Sequence, residues 1–106
     1  MNDISVGVPF SGCEKYYRET NVIATREDEA LSIAAGAFLS GKSPLVYMQN
    51  SGLGNSVDII TSLLVPYKIK FPVFIKHRDS PEHHALMGEI TNDLERLLGY
   101  GQFRNC

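Results

Sequence analysis

The fold is indicated most clearly by residues 45–55, which read Leu45-Val46-Tyr47-Met48-Gln49-Asn50-Ser51-Gly52-Leu53-Gly54-Asn55. The first four residues are mostly apolar, as expected of a strand that is covered on both faces. A polar segment with two glycines follows directly. A helix is predicted from Asn55 or Ser56 to about Leu64, because its apolar residues recur on one side. This order of strand, loop and helix predicts one unit of an α/β sheet.

The same alternation extends in both directions along the chain. Short strands are predicted at residues 4–8, 21–24 and 72–75. Helices are predicted at 26–40, where Thr25 offers an N-cap with Asp28 three residues on, and at 92–98, and a weak helical turn is expected within 10–20. Alternating strands and helices favour parallel pairing. We therefore predict one α/β domain over residues 1–106, with a doubly wound, mostly parallel sheet and helices on both faces.

Composition excludes several classes of protein. Of the 106 residues 43% are hydrophobic and 21% charged, and the net charge of −2 comes without a basic stripe, so nucleic acid is not an expected partner. No apolar run approaches the roughly 20 residues that span a bilayer, and the start does not resemble a signal peptide, so a cytoplasmic location is expected. The two cysteines, Cys13 and Cys106, suggest neither a disulfide framework nor a zinc site and are expected to be inert.

Ligands of parallel sheets bind outside the carboxyl ends of the strands. Three segments are predicted to lie there, namely 25–29, 49–55 and 77–84. The segment 49–55 has two glycines before a helix, like a phosphate cradle, but it matches neither the P-loop nor the dinucleotide fingerprint. Its backbone amides and the side chains of Gln49, Asn50 and Ser51 can present neutral hydrogen-bond donors to a ligand.

The segment 77–84 concentrates His77, Arg78, His83 and His84 in a slightly acidic chain. These groups would suit an anionic substrate, or they are simply solvated loop residues. A metal site is not favoured, because two histidines on a helix face need a spacing such as i, i+4.

Glu27 is an acidic residue in the first turn of the predicted helix 26–40, where it would stabilise the helix dipole as Asp28 and Glu29 would. The same helix contains Gly36, which costs about 1 kcal/mol relative to alanine. That cost indicates close approach of another backbone, a ligand or a second chain, or else tight packing on the sheet.

The motifs resemble a known enzyme family. Residues 26–30, 33–37 and 41–44 resemble the pyrimidine-binding half of thiamine-diphosphate-dependent decarboxylases. Residues 45–55, with Thr61-Ser62-Leu63, are similar to phosphonopyruvate decarboxylase and its relative sulfopyruvate decarboxylase. His77-Arg78, Pro81-Glu82-His83 and Met87-Gly88 extend the likeness, which runs from about Val6 to Leu98.

The resemblance implies specific roles. Glu27, nine residues before Gly36, would bond N1′ of the aminopyrimidine of thiamine diphosphate and favour the tautomer that takes a proton from the thiazolium ring. The cofactor would also contact Gln49, Asn50, Ser51 and Gly52. From their charge and their place at the crevice, Arg78, His83 and His84 are expected to bind the anionic 2-oxo acid substrate.

The resemblance also implies a partner. The chain lacks the Gly-Asp-Gly motif and downstream Asn that hold Mg²⁺ in such enzymes, and it is shorter at both ends than a pyrimidine-binding domain of this family. We therefore expect a hetero-oligomer in which a separate diphosphate-binding (beta) subunit holds the Mg²⁺. The expected activity is decarboxylation of phosphonopyruvate to phosphonoacetaldehyde, or of sulfopyruvate. The alternative is a non-catalytic binding or scaffolding protein that keeps only the partner surface.

Overall fold

A computed structural model of the chain describes residues 3–10 and 20–106. In these residues one parallel sheet is formed by β1 (Ile4–Gly7), β2 (Val22–Ile23), β3 (Pro44–Gln49), β4 (Val73–Lys76) and β5 (Phe103–Asn105). The strand order is β2-β1-β3-β4-β5. The chain thus leaves β1 in one direction and continues at β3 in the other, as in doubly wound sheets with a ligand crevice at this switch point. The predicted fold class is confirmed.

The helices follow the strands in sequence. They are α1 (Glu27–Leu39), α2 (Val57–Ile59) and α3 (Ala85–Leu98). A 3₁₀ helix, Asn50–Ser56, leads into α2, which continues as a π-helix, Ile60–Leu64. A 3₁₀ turn, Glu82–His84, precedes α3. Much of the segment 49–54, predicted as a loop, is therefore helical, because its glycines and small polar residues permit the tight 3₁₀ turns.

The two faces of the sheet carry different clusters. Val46, Met48 and Val73 pack in the main core with buried residues of α1, the π-helix and α3. Successive strand residues point to opposite faces, and Tyr47 accordingly joins a second cluster with Phe10. Leu45 and Phe74 pack against this second cluster.

Two elements differ from the sequence predictions. Helix α3 begins at Ala85, well before residue 92. It includes Gly88 despite the low helix propensity of glycine, and a Cβ at this position would lie 2.5 Å from Cβ of Asp79. Strand β5 was not predicted at all. It is a short edge strand with exposed Arg104 and Asn105, and it lacks the apolar pattern of a buried strand.

The predicted cap of the first helix is wrong. Helix α1 begins at Glu27 after an extended Arg26, and no side chain caps it. Instead, the backbone N–H of Thr25 donates to Oε1 of Glu29 at 2.9 Å. A carboxylate in the first turn of the helix thus accepts a hydrogen bond from the backbone just before the helix. The hydroxyl of Thr25 does not cap the helix as predicted.

Gly36 lies on the exposed side of α1, where an added Cβ would meet no atom of the described residues within 4 Å. Packing on the sheet therefore does not explain this glycine.

No helix in residues 3–10 and 20–106 is long and apolar enough to cross a membrane. The helical turn expected within 10–20 and the thiol of Cys13 lie outside the described residues.

Candidate functional site

The three segments predicted at the crevice lie together at the carboxyl ends of the strands. Gln49 pairs with Lys76 at the ends of β3 and β4, so the segments that follow leave the sheet side by side. The 3₁₀ helix Asn50–Ser56 packs against both α1 and α3. It forms the centre of the site, between the first turn of α1 and the loop that precedes α3.

The structure distinguishes the three acids of the first turn of α1. Glu29 accepts from Thr25, as described above. Asp28 accepts from the backbone N–H of Glu29 at 2.9 Å and from Nε of Arg26 at 3.2 Å. Of the three, Glu27 reaches furthest along the chain, since its Oε1 accepts a 2.8 Å bond from Nδ2 of Asn55. Asp28 and Glu29 thus serve the helix start, whereas Glu27 belongs to the crevice.

Glu27 lies directly over Gly52. A Cβ at position 52 would be 2.1 Å from Cγ and 2.8 Å from Cδ of Glu27, so only glycine leaves room for this side chain. Glu27 is half-buried, and no donor within the described residues reaches its second carboxylate oxygen. The result is a carboxylate held from one side, with one oxygen available to a ligand.

Gln49, Ser51 and Arg78 form a second polar group. Nη1 of Arg78 donates to Oε1 of Gln49 at 3.4 Å, and Nε2 of Gln49 donates to Oγ of Ser51 at 2.9 Å. The structure therefore joins two residues predicted to contact the cofactor with one predicted to bind the substrate.

Asn50 has a different environment from its neighbours, because its side chain is completely buried. Nδ2 donates to the backbone oxygen of Arg78 at 3.0 Å and to Oγ1 of Thr91 at 2.8 Å. Oδ1 accepts from the backbone N–H of Arg78 at 3.0 Å. Both amide hydrogens are thus used within the protein.

The imidazole rings of the adjacent residues His83 and His84 are in contact, with centroids 4.1 Å apart and ring planes tilted by 43°. His83 is exposed and His84 is buried. Burial, followed by the charges of His83 and Arg78, lowers the pKa of His84 below its usual 6.5. His84 is therefore neutral near pH 7, and the permanent positive charge of this region comes from Arg78.

His77 lies apart from this group. Its Nε2 is 3.1 Å from Oε2 of Glu95. It lines a cleft of about 310 Å³ at the ends of β4 and β5, together with Lys76, Asn92 and Cys106. The segment 77–84 therefore splits into two environments.

The site has the donors and acceptors of an organic ligand. In the part of the chain that the structure describes, no three His, Cys, Asp or Glu side chains lie close enough to hold a metal ion. The available groups are the Glu27 carboxylate, the neutral side chains of Gln49 and Ser51, and the guanidinium of Arg78.

Sequence reasoning missed two residues of the site. Asn55 lies within the segment 49–55, but its contact with Glu27 spans 28 residues of sequence and has no local signal. Thr91 was outside the predicted final helix. With the helix correctly started at Ala85, Thr91 would have been recognised as a polar residue on the buried side of α3, which is the signal of a buried hydrogen bond.

The fold and site define a doubly wound α/β domain with a carboxylate and a guanidinium at the ligand edge of its sheet. The chain is 42% identical over 82 residues to sulfopyruvate decarboxylase subunit alpha of Methanothermobacter thermautotrophicus, an alignment that covers 74% of the chain and 50% of the relative. The same-named subunit of Methanocaldococcus jannaschii is 50% identical over 79 residues, or 74% of the chain and 47% of the relative.

Phosphonopyruvate decarboxylase of Streptomyces viridochromogenes is 47% identical over 76 residues, which cover 66% of the chain and 19% of the relative. No protein-family model matches. The predicted resemblance to these decarboxylases is confirmed, and the chain spans about half the length of the subunit alpha relatives that it matches.

Proposed function

We propose that this chain is the small subunit of a heteromeric, thiamine-diphosphate-dependent decarboxylase that acts on phosphonopyruvate or sulfopyruvate. The proposal is supported by the similarity to relatives with those names and by one observation above all. Of the three neighbouring acids, Glu27 is the one whose side chain packs over Gly52 and bonds to Asn55 rather than to the start of its own helix, and one of its carboxylate oxygens is available at the crevice.

The residues present fit the pyrimidine end of thiamine diphosphate. A carboxylate in a partly desolvated crevice can hold a proton shared with a ring nitrogen, and Gly52 removes the Cβ that would fill the space occupied by Glu27. When bound, the cofactor supplies the electron sink for loss of CO₂ from a 2-oxo acid. Glu27 provides the acceptor, and Asn55 orients it.

Arg78 is the group best suited to the anionic end of the substrate. Phosphonate and sulfonate are tetrahedral anions, and a guanidinium binds such anions with paired hydrogen bonds. His84 contributes as a neutral donor near pH 7, and His83 adds an exposed imidazole beside it. Gln49 and Ser51, which are bonded to each other and through Gln49 to Arg78, extend the same polar surface.

A separate diphosphate-binding subunit completes the proposed enzyme. Such a subunit would hold Mg²⁺, for which this chain offers no carboxylate cluster in the described residues. The name subunit alpha, given to two of the relatives, supports a partner of this kind.

The test is co-expression with the diphosphate-binding subunit, followed by decarboxylation assays on phosphonopyruvate and sulfopyruvate. Glu27→Gln should lower kcat by at least about a hundredfold, the scale of a lost proton-transfer group, while the subunits still assemble. Asp28→Asn is the matched control, because Asp28 bonds only to its local turn, and its effect should be mild.

Equal turnover by Glu27→Gln and the unchanged enzyme would contradict the proposed mechanism. Assembly without turnover of either substrate would favour the scaffolding alternative. Calorimetry on the chain by itself should show only weak binding of thiamine diphosphate. Tight, Mg²⁺-dependent binding would contradict the proposal that a separate subunit holds the Mg²⁺ and the diphosphate.

A further inference from the structure

Asn50 is buried and donates both of its amide hydrogens within the protein, so neither is available to a ligand. Its neighbours Gln49 and Ser51, in contrast, are accessible. We propose that Asn50 is a positioning residue that fixes Arg78 for capture of the substrate's tetrahedral anion. This inference rests on the proposed function, and it gives Asn50 a different role from the cofactor contact that the resemblance implies.

The hydrogen bonds of Asn50 hold Arg78 by its backbone. Oδ1 accepts from the N–H of Arg78, and Nδ2 donates to the C=O of the same residue, both at 3.0 Å. Holding both polar groups of one residue restricts its backbone dihedrals and hence the direction of its side chain. The bond from Arg78 to Gln49 is long, at 3.4 Å, so the backbone contacts are the stronger constraint.

Helix α3 supports the same contact from the other side. Oγ1 of Thr91 accepts the second amide hydrogen of Asn50 and donates to the backbone oxygen of Met87. Gly88 allows the helix to approach closely, because a Cβ there would lie 2.8 Å from Cα of Asp79 and 3.2 Å from the backbone oxygen of Arg78. The loop after β4 is thus held between the start of the 3₁₀ helix Asn50–Ser56 and α3.

The burial of Asn50 makes this arrangement sensitive to mutation. Asn50 and Thr91 are both fully buried, so removal of either partner leaves polar groups without hydrogen bonds. Asn50→Ala removes all three bonds. Thr91→Val removes one of these three bonds, together with the bond that Thr91 donates to Met87, and keeps the shape of the side chain. The two variants should therefore release Arg78 to different degrees.

The matched control is Thr61→Val. Thr61 donates to the backbone oxygen of Val57, four residues earlier, as Thr91 does to Met87, but it is exposed and lies on the π-helix away from Arg78. It reproduces the loss of an intrahelical bond without the loss of the contact with Asn50.

The first measurement needs no catalysis. The full chain is titrated with methylphosphonate, and the NMR resonances of the Arg78 backbone amide and Nε–H are followed. In the unchanged chain and in Thr61→Val both resonances should shift and saturate. The dissociation constant should rise at least about tenfold in Asn50→Ala, the scale of one lost charge-assisted contact, and less in Thr91→Val.

The second measurement uses the assembled enzyme. The ratio of kcat/KM for phosphonopyruvate to kcat/KM for pyruvate should fall at least about tenfold in Asn50→Ala. In an Arg78→Ala background the same change should have little further effect, because Asn50 acts through Arg78. A purely structural residue would lower both substrates equally and would add its effect to that of Arg78→Ala.

An unshifted Arg78 signal in the unchanged chain would overturn the proposal, as would unchanged affinity in Asn50→Ala. An active Asn50→Ala enzyme with the same ratio of kcat/KM for phosphonopyruvate to kcat/KM for pyruvate would also overturn the proposal. If Asn50→Ala does not fold, Thr91→Val takes its place in both measurements. Lack of turnover by the unchanged assembly would instead contradict the proposed function, and the titration would still decide whether Asn50 positions Arg78.

Discussion

Replacement of Gly52 by alanine tests whether the position of Glu27 determines catalysis. The new Cβ would lie 2.1 Å from Cγ of Glu27, whereas carbon atoms in contact lie about 3.5–4.0 Å apart. The glutamate must therefore move by more than about 1 Å and lose its 2.8 Å bond with Asn55. A misplacement of about 1 Å commonly lowers rates about a hundredfold, or about 2.7 kcal/mol in the barrier.

Stability should change far less than activity. Backbone φ at Gly52 is not in the left-handed region, so alanine can adopt the backbone conformation. Its restriction of the unfolded chain, worth about 0.4–1 kcal/mol, offsets part of the cost of displacing the Glu27 side chain. Loss of the partly exposed bond between Glu27 and Asn55 costs about 1 kcal/mol in the other direction. The free energy of unfolding should thus stay within about 1 kcal/mol of the unchanged protein.

The assay is kcat of the assembled enzyme on phosphonopyruvate and sulfopyruvate, with urea denaturation of each variant chain. Gly54→Ala is the control, because its Cβ would meet no atom of the described residues within 4 Å and its effect on kcat should be small. If Gly52→Ala and Gly54→Ala gave the same kcat, the position of Glu27 would not matter and the reasoning would be refuted.

Three further predictions concern stability. Gly36→Ala should raise the free energy of unfolding by about 0.5–1 kcal/mol in urea denaturation, since the glycine is exposed within α1, and a loss would reveal a contact absent from the described residues. Tyr100→Phe should cost about 2 kcal/mol, because the buried hydroxyl donates to the oxygen of Ile69 at 2.7 Å and accepts from the N–H of Phe71 at 3.2 Å. Burial raises the pKa of Tyr100 from 10.0 to about 12, so the unfolded chain loses this proton first and the wild-type protein should lose stability as the pH rises through that interval. Tyr100→Phe should lack this loss. Identical profiles of unfolding free energy against alkaline pH for the two proteins would contradict the assignment. Because the pKa of His84 is lowered in the folded protein, the unfolded chain takes up this proton first as the pH falls. The free energy of unfolding should therefore decrease as the pH drops below about 6.5. His84→Gln should reduce this dependence on pH in denaturation curves recorded at about pH 5 to 7.

The sequence by itself determined the class of fold and the edge at which the site lies. Short apolar strands separated by helical segments favour a parallel sheet with crossover connections, and the carboxyl ends of such strands meet at one edge. The segments 25–29, 49–55 and 77–84 were predicted at that edge because each follows a strand. Local patterns suffice for this result, since strand and helix periodicity are properties of neighbouring residues.

The tertiary structure decided what each residue at that edge does. Glu27, Asp28 and Glu29 are equivalent first-turn acids by composition and position in the helix, and only the family resemblance indicated Glu27. In the structure, the contact with Asn55 and the position over Gly52 separate Glu27 from the other two acids. Asn50 likewise cannot be distinguished from Gln49 by composition, yet it is buried and bonded to Arg78, 28 residues away. These differences arise from hydrogen bonds and close approaches between distant segments, which exist only after the strands have set the register of the chain.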